Sequence, residues 1–259
     1  MTAEDASSKP IAAHPWEREA HTYNKMHQRL QIVLEEVIKF APRSVFELGP
    51  SVGVLRAALL RRLPGLRYFA CDASRSAVQA INDPHVLCVD LNRDALPFAG
   101  QTFDCIAGSG IIEYIADVPA LLAGLRQRLR PGGRLIISYF NMWHIYRRVL
   151  LFRGHRPYRS PTWRNDYFVS EIRELLRTAG FVVCDQIPTD IGLGRYREMG
   201  QERWSPKLLR WLRRLPRIGL FTHTAVFVAD ARDGVAAADA PARKGSSQPC
   251  PALASDARI

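Results

Sequence analysis

The sequence predicts an α/β fold built on a parallel sheet with helices on both faces. Short apolar runs alternate along the chain with longer segments in which apolar residues recur every three or four positions. The first pattern is typical of strands buried on both sides, and the second of helices packed over them. Turns that contain Gly or Pro separate these segments. A chain of 259 residues is long enough for one such domain with flanking segments.

The first half of the chain contains five predicted strands with helices between them. The helix that precedes the sheet, from about Trp16 to Phe40, carries one apolar stripe: Leu30, Val33, Leu34, Val37 and Ile38. The strands are predicted at Ser44–Leu48, Arg67–Asp72, Val86–Leu91, Phe103–Gly108 and Arg134–Tyr139. Helices are predicted between them at Val52–Leu63, which ends before Pro64-Gly65, and at Ser74–Ile81. A further helix begins at its cap residue Asp117 and ends at Pro131-Gly132-Gly133.

The second half departs from this alternation. Residues 140–169 are rich in aromatic residues and arginine and show no clear period. Ser170–Ala179 returns to a helical pattern, which Gly180 ends. Two further strands, at Phe181–Ile187 and Thr222–Ala229, bring the predicted number to seven. Residues 1–15 and 231–259 are polar and aperiodic, so we expect them to be disordered. This leaves residues 16–230 as the folded domain.

Composition narrows the classes of function. No stretch approaches the roughly 20 continuous apolar residues of a membrane span. The acidic start, Met1–Asp5, lacks the apolar region of a secretory signal. The five cysteines form no Cys-x-x-Cys pair, so we expect a reducing cytoplasm, without disulfides and without a metal site. The formal charge of +11 indicates either compositional bias or an acidic partner, and charge alone favours the first.

The ends of the predicted strands carry small or acidic residues. Right-handed crossovers place the carboxyl ends of parallel strands at one edge of the sheet. The residues found there are Glu47 and Gly49, Asp72, Asp90, and Gly108 with Ser109. Gly49 permits a sharp turn and Gly53 a close approach of helix and strand. Asp72 can accept hydrogen bonds from both hydroxyls of a ribose. The arrangement predicts a site for a nucleoside-bearing cofactor.

Five motifs, in order, resemble class I S-adenosylmethionine-dependent methyltransferases between about Ser44 and Ala229. They are Glu47-Leu-Gly-Pro-Ser-Val-Gly53, Asp72, Asp90-Leu91 with Leu96-Pro-Phe98, Gly108-Ser-Gly-Ile-Ile-Glu-Tyr114, and Leu129-Arg-Pro-Gly-Gly-Arg-Leu135. The resemblance implies a Rossmann-like, mostly parallel seven-stranded sheet whose last strand is antiparallel, and S-adenosylmethionine as the cofactor.

The resemblance also implies a set of cofactor-binding residues: Glu47, Gly49, Ser51, Gly53, Asp72, Asp90, Leu91, Gly108 and Ser109. In this set Glu47 would orient the turn or hold the cofactor's ammonium through water. Asp72 would bind the ribose, and Asp90 would accept from the adenine amino group. Two positions depart from the family pattern: Ser51 replaces its middle glycine, and Tyr114 replaces its usual histidine.

Three alternatives bear on this interpretation. A nicotinamide-dependent dehydrogenase would have Gly-x-Gly-x-x-Gly at the first turn, and the spacing Gly49-x-x-x-Gly53 argues against it. A non-catalytic, methyltransferase-like partner protein stays open, because residues 140–157 resemble an insertion in methyltransferase-like proteins of bacterial methionine biosynthesis. An RNA methyltransferase is disfavoured, since the basic residues coincide with no nucleic-acid-binding module.

The acceptor is only weakly marked in the sequence. The segment after the fourth strand lacks both Asn/Asp-Pro-Pro-Tyr/Phe, the signature of amine methylation on adenine or glutamine, and a Pro-Cys nucleophile. We therefore expect methylation of an oxygen on a small or glycan- or lipid-linked acceptor, held by the insertions at 140–169 and 190–220. His144 is the candidate catalytic base, and Tyr146, Tyr158 and Tyr167 are further candidates. An anionic acceptor, or else a solvated face, would explain the arginines at 147, 148, 153, 156, 159 and 164.

The segment Trp204–Leu215 predicts a basic amphipathic helix. Its apolar face would contain Trp204, Leu208, Trp211, Leu212 and Leu215. Such a helix can lie on an anionic membrane, which suits a lipid-linked acceptor, or it can pack over the edge of the sheet. We expect a cytoplasmic protein with peripheral contact at the inner membrane surface. The sequence does not predict the oligomeric state.

Overall fold

The computed structural model describes residues 17, 24–155, 162–191 and 221–231. The predicted disordered ends, apart from Ala231, lie outside these residues, and so do Tyr158 and the predicted helix Trp204–Leu215.

A seven-stranded sheet forms the centre of the protein. Its strands are β1 (Ser44–Leu48), β2 (Arg67–Asp72), β3 (Val86–Cys88), β4 (Phe103–Ser109), β5 (Leu129–Phe140), β6 (Phe181–Ile191) and β7 (Thr222–Ala231). They lie in the order β3-β2-β1-β4-β5-β7-β6. β1 to β5 pair in parallel, and β7 runs antiparallel to both β5 and β6. The predicted mixed sheet with an antiparallel last strand is confirmed.

Helices cover both faces of this sheet. They are α1 (Gln28–Phe40), α2 (Val54–Arg62), α3 (Arg75–Ile81), α4 (Val118–Arg128), α5 (Ile145–Phe152) and α6 (Val169–Thr178), with a 3₁₀ turn at Ile112–Tyr114. On one face, Val33 of α1 and Leu59 of α2 are fully buried in one apolar core. On the other, Leu122 of α4 and Leu176 of α6 belong to a second core. Burial of these stripes is the main force that holds the helices on the sheet.

Several elements differ from the sequence prediction. The helix predicted from about Trp16 to Phe40 is helical from Gln28 onward, and residues 24–27 before it are not helical. β3 ends at Cys88 rather than Leu91, because the polar residues that follow fold into a turn in which Asp90 Oδ1 accepts the Asn92 N–H at 3.0 Å. α4 ends at Arg128, and Pro131-Gly132-Gly133 lies inside β5, beside an irregularity in its register with β4. The Gly-rich turn therefore begins a strand instead of preceding one.

A further difference is α5, a helix within the segment for which the sequence predicted no regular period. It buries Arg147 and exposes Val149, Leu151 and Phe152, the reverse of the usual distribution. Ile145, Val149 and Phe152 recur at helical spacing, but the apolar side of this helix faces outward instead of into the core. Among the described residues, no helix is long and apolar enough to cross a membrane.

Candidate functional site

A cavity opens at the carboxyl edge of the sheet, over β1, β2 and β4. Its empty volume, including space open to solvent, is about 1050 Å³. Its walls include seven of the predicted cofactor residues: Glu47, Gly49, Ser51, Asp72, Asp90, Leu91 and Ser109. The order of the sheet reverses between β1 and β4, and ligands of open α/β sheets bind at such switch points.

The turn after β1 shapes one wall of the cavity. Gly49, Ser51 and Gly53 have φ values of +66°, +51° and +78°, all in the left-handed region. Glycine adopts this region at little cost, whereas Ser51 does so with a Cβ. Gly53 does not line the cavity: a Cβ there would lie 3.1 Å from Ile81 Cγ1, so its small size allows packing against α3. Gly49 thus forms the turn at the cavity, and Gly53 allows close packing next to it.

Asp72 ends β2 and faces the turn. Its Oδ2 accepts the Ser51 N–H at 2.9 Å, and its Oδ1 accepts the Ser74 N–H at 2.9 Å. Burial raises the pKa of Asp72, and these backbone hydrogen bonds oppose the shift. The Ala73 N–H also bonds to this carboxylate. Three backbone N–H groups therefore hold the carboxylate in a fixed position, and because a carboxylate offers about four lone-pair sites, it can still accept a hydrogen bond from a ligand.

Glu47, in β1, lies beneath the turn and is 2% exposed. Its Oε2 accepts the Tyr68 hydroxyl at 2.5 Å. Burial raises the pKa of Glu47 to about 7, and the charge of Asp72 acts in the same direction while the Tyr68 hydrogen bond opposes it. A cation bound in the cavity would favour the ionised form of Glu47.

Glu17 was not a site residue in the sequence analysis, yet it lies beside Asp72. Its carboxylate accepts the Arg75 N–H at 2.8 Å and the Ser74 hydroxyl at 3.0 Å, at the start of α3. Hydrogen bonding, above all from the Ser76 hydroxyl, lowers the pKa of Glu17. The segment before α1 therefore reaches the end of β2. No local pattern could have indicated this contact.

The loop after β3 supplies Asp90 and Leu91, and it contains a residue that sequence analysis missed. Asn92 donates from Nδ2 to the Tyr114 carbonyl at 3.0 Å and accepts the Ala116 N–H at 2.7 Å. It also lines the cavity. Its side chain ties the loop after β3 to the segment after β4, so the two walls hold their spacing.

The segment after β4 begins the opposite wall. Ser109 and Gly110 line the cavity, and the Gly110 N–H donates to Ser138 Oγ at 2.9 Å. Gly108 lies behind this wall, where a Cβ would meet Ile111 Cγ2 at 3.1 Å. Like Gly53, Gly108 serves close packing next to the cavity and does not border it.

The remaining wall comes from α1 and the end of β5. Arg29, at the start of α1, has its guanidinium carbon 4.6 Å from the centroid of the Phe140 ring. His27 caps α1 by accepting the Leu30 N–H at 3.2 Å, and burial together with the charge of Arg29 lowers its pKa to about 3. Arg29, His27, Phe140 and Tyr114 all line the cavity. This wall therefore combines one cation with apolar and neutral groups.

His144, the candidate base, lies away from the cavity, and that assignment is withdrawn. Its side chain is 0% exposed, caps α5 by accepting the Tyr146 N–H at 3.1 Å, and stacks on His223 with 3.5 Å between ring centroids. Tyr146 and Tyr167 are not cavity residues either. Among the described residues of the segment 140–169, Phe140 lines this cavity, while His144, Tyr146 and Tyr167 do not.

The comparisons with known proteins agree with this geometry. Residues 18–186, more than half of the chain, match the family model described as a methyltransferase domain. The chain belongs to this methyltransferase family. The family and its solved members use S-adenosylmethionine, so the predicted family and cofactor are confirmed. Seven of the predicted cofactor residues line one cavity, and their roles in binding the cofactor stay predictions.

Individual relatives of this methyltransferase are distant. A malonyl-[acyl-carrier protein] O-methyltransferase of Xylella fastidiosa is 30% identical over 135 residues, which cover 50% of this chain and 45% of that protein. A probable S-adenosylmethionine-dependent methyltransferase of Mycolicibacterium smegmatis is 28% identical over 175 residues, 66% of this chain and 65% of the relative. The matches thus span about half to two thirds of these relatives. A putative methyltransferase solved in complex with the Haloferax volcanii Trm112 activator shares the fold, with a TM-score of 0.58, 20% identity, and coverage of 85% of this chain and 96% of that one.

Proposed function

We propose that this methyltransferase transfers a methyl group to an oxygen of an anionic acceptor that is small or linked to a glycan or lipid. The observation that carries the proposal is the cavity itself, in which the acidic residues at the ends of β1 and β2 lie opposite a wall that carries Arg29. Acidic and small residues from several strand ends meet in this one cavity, as a site for a nucleoside-bearing cofactor requires.

The residues of the cavity fit S-adenosylmethionine. When bound, that cofactor supplies an activated methyl group on a sulfonium that leaves readily. We infer that Asp72 accepts hydrogen bonds from the ribose hydroxyls, because both of its oxygens are held in place by backbone N–H groups. Asp90 and Leu91 would hold the adenine, and Glu47 would face the cationic part of the molecule.

The acceptor side favours an oxygen that is already deprotonated. His27 has a pKa of about 3, so it is neutral at pH 7 and a weak base. A carboxylate or another anion needs no base, and alignment with the methyl donor then supplies most of the rate enhancement. The relative from Xylella fastidiosa, an O-methyltransferase by name, is consistent with this acceptor atom.

A direct test is transfer of radiolabelled methyl groups from S-adenosylmethionine to fractionated metabolites, lipids and RNA. We expect label to be transferred to a compound from an acidic metabolite or lipid fraction. Mild alkali releases the label from a methylated carboxylate, whereas a methylated phosphate keeps it. The matched control is Asp72→Asn, which should transfer much less label at a concentration of S-adenosylmethionine that does not saturate the variant. Label confined to RNA would contradict the proposal. If cofactor binding is intact and no fraction is labelled, the non-catalytic partner protein becomes the better interpretation.

Peripheral membrane contact is also a proposal. The predicted helix Trp204–Leu215 lies outside the described residues, and support comes instead from the end of α5. There Phe152 is 94% exposed and Leu151 51% exposed, with exposed Arg148 and Arg153 beside them. Exposed apolar side chains flanked by arginines suit insertion into an anionic bilayer surface. This contact would bring a lipid-linked acceptor to the enzyme.

A further inference from the structure

We propose that Tyr68 is a positioning residue for the cofactor: its hydroxyl fixes the Glu47 carboxylate at the cavity, where this charge favours S-adenosylmethionine over S-adenosylhomocysteine. This inference rests on the proposed function and names a residue that acts on the cofactor through another side chain. It follows from the contact between Tyr68 and Glu47, from the burial of both, and from the difference in charge between the two ligands.

The Tyr68 hydroxyl and the Glu47 carboxylate form a buried hydrogen bond. The hydroxyl oxygen lies 2.5 Å from Glu47 Oε2, and the two residues are 6% and 2% exposed. Tyr68 lies in β2 two positions before Ala70, which pairs with Glu47 of β1, so both side chains are on the same face of the sheet. Glu47 lines the cavity and Tyr68 does not. Tyr68 can therefore act on the cofactor site through Glu47.

The ring of Tyr68 is itself held in place. It belongs to the apolar core that α1 and α2 cover. The guanidinium carbon of Arg56 lies 5.6 Å from the centroid of the ring, and Arg56 Nη2 pairs with Asp83 Oδ2 at 2.5 Å. Burial and the charge of Glu47 raise the pKa of Tyr68 well above its usual value, so the hydroxyl stays protonated and remains a donor. A donor held in this way leaves the carboxylate little freedom to move.

The hydrogen bond from Tyr68 also favours the charged form of Glu47. Burial raises the pKa of Glu47 to about 7, the Tyr68 hydrogen bond lowers it, and the charge of Asp72 raises it further. A donor to a carboxylate stabilises the ionised form, which is the form that attracts a cation. The other ionisable side chains at the cavity are those of His27, Arg29, Cys71, Asp72, Asp90 and Tyr114.

The two ligands differ by one positive charge. Methyl transfer turns the sulfonium of S-adenosylmethionine into the neutral thioether of S-adenosylhomocysteine. Charges act through space, and more strongly where water is excluded than in bulk water. An ionised Glu47 at the cavity wall therefore favours the methyl donor without direct contact with the sulfonium. The same preference helps fresh cofactor to replace the product.

The test uses the full-length protein and calorimetric titration with S-adenosylmethionine, S-adenosylhomocysteine and methylthioadenosine, which lacks both the sulfonium charge and the amino acid part. Tyr68→Phe removes only the hydroxyl. We expect the preference for S-adenosylmethionine over S-adenosylhomocysteine to fall at least fivefold, while the affinity for methylthioadenosine changes less than twofold. Equal losses of affinity for all three ligands would indicate a purely structural role and would overturn the inference.

The dependence on pH gives a second readout. Without the Tyr68 donor the pKa of Glu47 should rise, so the cationic cofactor would meet more of the protonated form. The factor by which Tyr68→Phe weakens binding of S-adenosylmethionine should therefore be largest near about pH 6 and shrink toward about pH 9. The factor for Glu47→Gln should grow over the same range, because only the wild type gains the charge. A factor for Tyr68→Phe that does not vary with pH would contradict the proposal.

Tyr139→Phe is the matched control, because Tyr139 is a buried tyrosine away from the cavity whose hydroxyl donates to the Tyr167 carbonyl at 2.5 Å. It should leave the preference unchanged. If the wild-type protein binds none of the three ligands, the proposed function fails. If it binds them and Tyr68→Phe keeps the full preference, only the role of Tyr68 is overturned. If Tyr68→Phe does not fold, as judged by circular dichroism, Glu47→Gln decides, because Tyr68 acts through that residue: a lost preference supports the proposal and an unchanged one refutes it.

Discussion

Asp72 and Ser51 are joined by a hydrogen bond of 2.9 Å between the Asp72 carboxylate and the Ser51 backbone N–H. This bond ties the end of β2 to the turn after β1, the two segments that form one wall of the cavity. It also holds a non-glycine residue at φ +51°. One contact thus fixes both the proposed ribose acceptor and the turn beside it.

Asp72→Asn should lower the affinity for S-adenosylmethionine by at least tenfold. The amide keeps the shape but offers one acceptor atom instead of two and no charge, and hydrogen bonds to charged groups contribute roughly 1.5–3 kcal/mol. Calorimetric titration measures the effect. Glu174→Gln, an exposed carboxylate on α6, is the control. Equal affinities of Asp72→Asn and the wild type would refute the proposed role of Asp72.

Ser51→Gly should stabilise the protein. The left-handed conformation costs a non-glycine residue roughly 1–2 kcal/mol, and the greater freedom of glycine in the unfolded chain offsets part of the gain. We expect the melting temperature to rise by about 2–4 °C. Ser170→Gly, in the helical conformation of α6, should lower it instead. A decrease for Ser51→Gly would show that the Ser51 side chain compensates the backbone cost.

Glu47 should make the stability of the ligand-free protein depend on pH. Its pKa is about 7 in the folded state, because it is buried, against 4.5 for an unperturbed glutamate. The folded state therefore binds more protons between these values, and stability falls as pH rises from about 4.5 to 7, by roughly 3 kcal/mol.

Glu47→Gln removes this titration. Urea unfolding at several pH values should show the variant gaining stability relative to the wild type from about pH 4.5 to 7 and holding that gain above pH 7. Glu174→Gln, exposed to solvent, should show no such gain in this window. A difference between Glu47→Gln and the wild type that does not vary with pH would show that Glu47 does not titrate as its burial indicates.

His144→Ala should reduce stability without reducing the rate of methyl transfer by the folded protein. The substitution removes the cap of α5 and the stacking on His223, and loss of a helix cap costs roughly 1 kcal/mol. Asn also caps helices, so His144→Asn should restore part of the stability. Urea unfolding and single-turnover transfer measure the two effects. A slower transfer step in both variants at full folding would return His144 to the catalytic candidates.

Replacing Leu151 and Phe152 together by Ser should weaken binding to vesicles of phosphatidylglycerol. Burial of a large apolar side chain contributes roughly 1.5–3 kcal/mol, so we expect a loss of at least tenfold in sedimentation assays. Leu87→Ser, at a partly exposed apolar site on β3 away from α5, is the control and should leave vesicle binding unchanged. Wild-type binding should fall with added salt and be weak on phosphatidylcholine alone. Equal binding of the double variant and the wild type would contradict membrane contact through α5.

Local patterns were sufficient to predict most of the fold. The apolar runs around Phe46 and Ile106 indicated buried strands, and the glycines after β1 indicated a turn that approaches a ligand closely. These features depend on residues that are neighbours in the sequence. The helix α5 was missed although Ile145, Val149 and Phe152 recur at helical spacing. Tertiary contacts bury Arg147 and leave the apolar side of α5 exposed, and the sequence did not indicate this reversal.

Part of the candidate site could also be predicted from the order of strands and helices in the sequence. Residues at the ends of parallel strands must meet at one edge, so Glu47, Asp72 and Asp90 could be placed together from topology alone. Glycines 53 and 108 were placed at the right edge, but only the packing against Ile81 and Ile111 shows that they stand behind the wall. Arg29, Asn92 and Glu17 reach the site from elements whose position the sequence did not fix.

The sequence by itself determined the α/β class, the methyltransferase resemblance and the edge of the sheet that holds the cofactor residues. Those properties follow from spacing along the chain, which local sterics and burial translate into strands, turns and helices. Only the tertiary structure decided which side chains border the cavity. In the structure Arg29 contacts Gly110 and Phe140, and the buried ring of His144 stacks on His223. The sequence could not show these contacts, because contacts between distant segments depend on how whole elements pack.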